Sequence, residues 1–218
     1  GLGLVSTGLP WWTYDAGGFF RPYDQYSDED YIERMIRWIQ TGTFLPMMRV
    51  HGYMSNTEPW EYGPQAQRLI TDQIRLRYRL LPYIYSEASR VTTEGYTLMR
   101  PLIFDFPDDT DALKQDNEYM FGQSLLVCPV TEKGVSQWRV YLPENEGGWY
   151  DFRTGKKYGN GWSEVPVTIE DIPVFAKAGS ILPLGPVKQH AAEKSDTPLT
   201  INVYPGADAC FNLFEDDG

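Results

Sequence analysis

Residues 27–52 read SDEDYIERMIRWIQTGTFLPMMRVHG, and the architecture follows from them. Ser27 can cap a helix, and Asp28, Glu29 and Asp30 suit the positive N-terminal end of the helix dipole. Ile32, Met35, Ile36 and Ile39 recur at i, i+3, i+4 and i+7, which gives one apolar stripe. Gly42 suits the stop. Residues 44–50 then form an apolar, strand-like run that ends at Arg49-Val50-His51-Gly52. Upstream, residues 2–7 are a second short apolar run, closed by Gly8 and Pro10 and read as a buried strand. Residues 11–20 follow as a loop with the turn pair Gly17-Gly18. Strand, loop, helix, strand is a βαβ order, and it predicts a parallel sheet or barrel.

Downstream, Pro64 opens a second helical segment with Leu69, Ile70, Ile74, Leu76, Leu80 and Leu81 on its apolar face. Pro82 should kink or split it, and the pattern fades before Gly95. Beyond that point the pattern changes. Strand candidates are residues 97–104, 124–130, 138–142, 149–152, 164–169 and 174–182. They are separated by Pro107-Asp108-Asp109, Gly147-Gly148, Thr154-Gly155 and Gly159-Asn160-Gly161. Short strands at such spacing predict an antiparallel sandwich. Residues 185–197 are polar and read as a linker, and 199–204 and 209–214 read as a closing strand pair around Pro205-Gly206.

Composition bounds the function. The 218 residues carry a formal charge of −11, which disfavours nucleic acid and anionic membrane surfaces as partners. No apolar run approaches the ~18 residues of a membrane-spanning helix, and 15% aromatic content with 22% charge argues against disorder. Aromatic side chains, seven Trp among them, fit either the stacking of sugar rings or the filling of a β-rich core. Cys128 and Cys210 lie in no metal or redox spacing and read as two buried free thiols. The chain opens on Gly1 and closes on Glu-Asp-Asp-Gly, so it reads as a piece of something longer.

Chemistry is sparser. His51 follows a strand-like run, the position at which barrels place site residues, but a structural histidine fits equally well. His190 falls in the polar linker and reads as solvated. Neither histidine has a spaced partner for metal, so neither metal nor cofactor is expected. Asp15 sits before two glycines, which suits a turn aspartate as well as a site residue. Phosphate loops, a nucleophile elbow and a Cys/His dyad are absent. Asp108-Asp109-Thr110-Asp111 reads as a solvated loop, with a calcium site as the alternative. The residues alone thus reach a partial α/β barrel followed by an aromatic-rich sandwich, and no reaction.

The ordered motifs go further. Trp11-Trp12-Thr13-Tyr14-Asp15-Ala16-Gly17-Gly18-Phe19-Phe20, then Pro46-Met47-Met48-Arg49-Val50-His51-Gly52 with Glu58-Pro59-Trp60, resemble the late barrel segment of glycoside hydrolase family 31. So, in family order, do Leu80-Leu81-Pro82-Tyr83-Ile84-Tyr85, Met99-Arg100-Pro101-Leu102, Tyr119-Met120-Phe121-Gly122, Trp149-Tyr150-Asp151-Phe152-Arg153-Thr154-Gly155 and Ala178-Gly179-Ser180-Ile181-Leu182-Pro183.

The resemblance implies a multidomain α+β chain. Residues 1–95 would be the last βα units of a (β/α)8 TIM barrel, 96–185 an antiparallel β-sandwich, and 186–218 the start of a further β-domain. Barrel strands without neighbours would leave an exposed apolar face in residues 1–95. The activity implied is that of a retaining exo-α-glycosidase on oligosaccharides. The doubled Trp11-Trp12 and Phe19-Phe20 resemble α-xylosidases, with xyloglucan oligosaccharides as the implied substrate and an α-glucosidase on glucan oligosaccharides as the alternative. That substrate class favours a periplasmic or extracellular setting, and an oligomer is compatible with it. A non-catalytic carbohydrate-binding or structural sandwich is the reading of another class.

In the family both catalytic carboxylates lie on earlier strands, so none is expected here and the chain alone should be inactive. Three residues match by position. His51 matches the histidine that bonds sugar hydroxyls in the −1 subsite, Phe19 an aromatic wall, and Asp15 a carboxylate that orients pocket groups. Arg49 would pair with pocket carboxylates.

Overall fold

A computed structural model describes residues 1–216, and 217–218 lie outside it. The helical half follows the sequence closely. Helix α2, Glu29–Gly42, buries Met35, Ile36 and Ile39 and is capped by Asp28, which accepts the Asp30 N–H at 3.0 Å. Ser27 does not cap, because its hydroxyl turns back to the Asp24 carbonyl. Helices α3, Gly63–Arg79, and α4, Leu81–Glu94, are separate, broken at Leu80 just ahead of Pro82. Gly95 ends α4 in the left-handed region at φ 66°.

Two expected strands are not formed. Residues 2–7 contain a short helix, α1, Leu2–Ser6, closed by the Ser6 and Thr7 hydroxyls bonding back to the carbonyls of Leu2 and Leu4. Such a short apolar run fits either structure, and local hydrogen bonds decide it. Residues 44–50 carry no ladder. Arg77 of α3 takes the carbonyls of Thr43, Leu45 and Pro46 at 2.8, 2.7 and 2.9 Å, so these acceptors are satisfied by a guanidinium. Hence no parallel pair forms among the described residues, and every strand pair is antiparallel.

The second half is strand-rich. Its strands are β1 Met99–Pro101, β2 Tyr119–Phe121, β3 Leu125–Val127, β4 Gln137–Leu142, β5 Trp149–Asp151, β6 Lys157–Tyr158, β7 Gly161–Pro166, β8 Val174–Lys177, β9 Ser180–Leu184 and β10 Thr200–Tyr204. Six of them form one sheet in the order β1-β2-β3-β8-β5-β6, while β4–β7 and β9–β10 are two-stranded. Strand β2 was not anticipated. Run 174–182 becomes two strands because Gly179 turns the chain at φ 79°.

Period-two alternation explains how the halves join. On β2, β3 and β8, one set of side chains (Tyr119, Phe121, Leu125, Val127, Val174, Ala176) packs against Phe44, Leu45, Leu80 and Tyr83 of the helical half. The intervening set (Met120, Leu126, Phe175) packs against Val140, Leu142 and Val165 of the β4–β7 ribbon, together with Trp149. The sheet therefore lies between helices and ribbon, buried on both faces. Polar ties reinforce the first contact: Tyr119 Oη donates to Phe44 O at 3.0 Å and Tyr83 Oη to Phe121 O at 2.8 Å. On the far side of α2, Gln40 and Arg37 donate to the carbonyls of Ile169 and Asp171.

The expected closing strand at 209–214 is also absent. Strand β10 pairs with β9, Thr200 opposite Leu184 through Tyr204 opposite Ser180. The tail instead lies along α4, where Phe211 stacks on Tyr83 at 5.7 Å and the Phe214 N–H donates to Ser86 Oγ. Both cysteines are free. Cys128 is buried, which pushes its thiol pKa up, whereas Cys210 is exposed, contrary to expectation. Among the described residues no helix is long and apolar enough to cross a membrane. Leu4, Leu9, Trp11, Phe20, Tyr53, Met54 and Trp60 are exposed, but the barrel strands whose unpaired edge was to leave an apolar face in residues 1–95 are not formed.

Candidate functional site

The site is built on two loops that α2 separates in sequence. The first begins with a turn at Asp15-Ala16-Gly17-Gly18, closed by the Gly18 N–H bonding to Asp15 O at 2.7 Å. Gly17 takes φ 83°, and a Cβ there would fall 2.5 Å from Met35 Sδ and 3.0 Å from Tyr31 Oη of α2. Only glycine fits that conformation and that gap. Tyr31 Oη donates to Gly17 O at 2.9 Å, so the helix holds the turn directly, and burial pushes the Tyr31 phenol pKa up. The second loop is 49–55.

Across these loops Asp15 meets Arg49 and Phe19 meets His51. Arg49 Nε donates to Asp15 Oδ1 at 2.9 Å, and Nη2 reaches the same oxygen. The His51 ring lies 5.4 Å from the Phe19 ring. The Tyr53 N–H donates to Phe19 O at 2.8 Å and ties the loops through the main chain. Phe20 and Tyr53 extend the aromatic surface, at 4.9 and 5.8 Å from Phe19. Next to them Met54 takes φ 49°, a left-handed conformation uncommon for its side chain.

Trp12 does not join this group. It stands 6.1 Å from Tyr14, which lies 4.9 Å from Trp38 and donates to Trp38 O. Burial pushes the Tyr14 phenol pKa up. Of the two aromatic doublets in the sequence, then, Phe19-Phe20 lies beside His51, while Trp12 packs toward α2.

Sequence reasoning missed the network beneath the loops. Arg21 Nη1 donates to Tyr62 Oη at 2.7 Å, and Tyr62 Oη donates to Gln25 Oε1. Burial pushes the Tyr62 phenol pKa up to about 12, against the opposing charge of Arg21. No periodicity or motif marks these three residues.

The remaining acidic run is organised otherwise. Asp109 Oδ1 accepts the N–H groups of Asp111 and Ala112 at 3.0 Å each, and both of its oxygens accept the Tyr141 hydroxyl. These bonds outweigh its partial burial and hold the carboxyl pKa low. Among the described residues no group of three or more His, Cys, Asp or Glu could hold a metal ion.

Chemically, the two pairs offer an imidazole, a guanidinium-held carboxylate and an exposed ring face. That set suits a neutral, polyhydroxylated ligand whose hydroxyls bond the polar groups while its C–H face lies on the rings.

Residues 1–87 match the model of the glycosyl hydrolases family 31 TIM-barrel domain, and residues 95–182 that of the glycosyl hydrolase family 31 C-terminal domain. An α-xylosidase of Saccharolobus solfataricus is 43% identical over 219 residues, covering 100% of this chain and 30% of its own. Neutral α-glucosidase AB of Mus musculus is 34% identical over 223 residues, covering 100% of this chain and 23% of its own. Among solved structures, the family 31 α-xylosidase of Xanthomonas citri superposes with a TM-score of 0.93 at 38% identity, over 100% of this chain and 24% of that one. The chain thus spans less than a third of the length of each of these proteins.

Proposed function

The chain belongs to glycosyl hydrolase family 31, and from that we propose that it is part of a retaining exo-α-glycosidase that removes terminal α-linked xylosyl residues from oligosaccharides. In this reading residues 1–95 complete a (β/α)8 barrel, 96–185 form an antiparallel β-sandwich that braces it, and 186–218 open a further β-domain. The bracing role is supported by the sheet face buried against Phe44, Leu80 and Tyr83. The observation that carries the proposal is the meeting of Asp15 with Arg49 and of Phe19 with His51 across two loops.

Each residue takes a role from its chemistry. His51 bonds ring hydroxyls of the sugar in the −1 subsite. Those bonds raise kcat only to the extent that they strengthen as the sugar flattens toward an oxocarbenium ion. Phe19 walls the subsite. Arg49 orients Asp15, so that its carboxylate accepts a hydrogen bond from a sugar hydroxyl. The nucleophile and the acid/base, which a retaining mechanism sets about 5–5.5 Å apart, come from preceding barrel strands. Chain 1–218 alone is therefore inactive.

We favour xylosyl over glucosyl because the rings of Phe19, Phe20 and Tyr53 cluster on the side where Phe19 meets His51. A xylosyl unit lacks the C6 hydroxymethyl group that such bulk excludes. The 43% identity to an α-xylosidase supports this choice over the α-glucosidase reading. The test is kcat/KM of the whole enzyme on aryl α-xyloside and aryl α-glucoside. A higher value for the xyloside is expected, and a higher value for the glucoside would replace the assignment by the α-glucosidase one. Hydrolysis of either by chain 1–218 alone would overturn the inactivity claim.

A further inference from the structure

We propose that Arg21 is a positioning residue that sets the distance between the two site loops and so aims His51 and Phe19 at the sugar. This role rests on the glycosidase reading above. Arg21 sits between the loops and touches both. Its Nε donates to Gly18 O at 3.0 Å and its Nη2 to Ala16 O at 2.9 Å, both in the turn that leads from Asp15 to Phe19. The same Nη2 donates to His51 O at 3.2 Å, thirty residues away. Its Nη1 bonds Tyr62 Oη, just ahead of α3, and Tyr62 is fixed in turn by Gln25.

Every acceptor is a carbonyl or a hydroxyl, and among the described residues Arg21 makes no ion pair. Its planar fork is therefore used for geometry, reaching three main-chain acceptors that no point charge could satisfy together. Gly52 shows how closely the clamp is fitted. A Cβ at that position would lie 2.8 Å from Arg21 Nε, 3.0 Å from Cζ and 3.1 Å from Ser55 Oγ. The residue after His51 is thus bare where the guanidinium passes. Tyr53, one residue further, closes the same gap with its N–H on Phe19 O. Removing the guanidinium leaves three carbonyls without their donor and lets the His51 backbone move away from Phe19. A shift of about 1 Å at a positioning group can cost about 100-fold in rate.

The test uses the whole enzyme carrying Arg21→Met and, separately, Gly52→Ala, which keeps every hydrogen-bonding group and displaces the guanidinium. Both should lower kcat/KM on the preferred aryl glycoside by about 10–100-fold, mainly through kcat, because the lost alignment matters most in the transition state. In a His51→Ala background the Arg21→Met effect should shrink to a few-fold, since the residue acts largely through His51. Backbone amide exchange over residues 15–21 and 50–55 should accelerate in both variants without any substrate. Unchanged exchange and unchanged kcat/KM would overturn the proposal. A full, additive loss in the His51→Ala background would overturn it too. Accelerated exchange in an enzyme that hydrolyses neither xyloside nor glucoside would leave the clamp standing and defeat the glycosidase reading instead.

Discussion

Arg49 and Asp15 are joined across the two site loops, with Arg49 Nε 2.9 Å from Asp15 Oδ1. The pair is partly open to solvent, with the Arg49 side chain 51% exposed. Exposed ion pairs contribute about 0.2–1 kcal/mol to stability, so this one is a poor candidate for a structural staple. Asp15→Asn should therefore change the melting temperature by no more than a degree or two while lowering kcat/KM by about 10–100-fold. Thermal unfolding and steady-state kinetics on the same preparation check this. A large drop in Tm with unchanged kinetics would make the pair structural.

Arg77 makes the contrasting case. It is half-buried, desolvation pulls its pKa down to about 10, and it donates to the carbonyls of Thr43, Leu45 and Pro46. Arg77→Leu should cost about 2–4 kcal/mol, because three buried acceptors lose a charged donor. Arg77→Lys should recover only part of that, since one ammonium cannot reproduce the fork. Chemical denaturation of the three proteins would test the order.

Glu118 should give a measurable pH dependence. It is buried and accepts the Tyr141 N–H at 3.0 Å, and burial raises its pKa to about 8. In the unfolded chain a glutamate titrates near ~4.3. The folded protein therefore holds a proton that the unfolded chain has released, and stability falls as pH rises from about 4.5 through about 8. Glu118→Gln should remove about 1–3 kcal/mol of that decline. Tm measured at pH 5, 6.5 and 8 for both proteins checks it, and parallel curves would contradict it.

Phe20 is 79% exposed, and its ring lies 4.9 Å from Phe19. If aromatic bulk excludes the C6 group, Phe20→Ala should raise the ratio of glucoside to xyloside kcat/KM by about 10-fold, the scale of one apolar group in a pocket. An unchanged ratio would remove Phe20 from the specificity argument.

The helices were legible because their signals are local. The stripe through Met35, Ile36 and Ile39 and the break at Pro82 need no knowledge of the rest of the chain. The runs at 2–7 and 44–50 were misread because a parallel strand is defined by its neighbours. In their place stand hydroxyl back-bonds and the Arg77 fork. Strand β2 is three residues long and follows the polar Asp116-Asn117-Glu118, too short for alternation to register. The four site residues could be named only through family resemblance, since nothing in their spacing fixes that Asp15 faces Arg49. Arg21 was invisible to any such reading, because main-chain carbonyls accept its bonds and leave no mark in residue type.

The most direct test of the account is kcat/KM of the whole enzyme on an aryl α-xyloside, with and without His51→Ala. His51 makes no side-chain hydrogen bond within the described residues, so its imidazole is free for a ligand. A fall of about 100-fold or more at unchanged Tm is the predicted result. Activity within twofold of the unaltered enzyme would contradict the assignment of these loops as the sugar site.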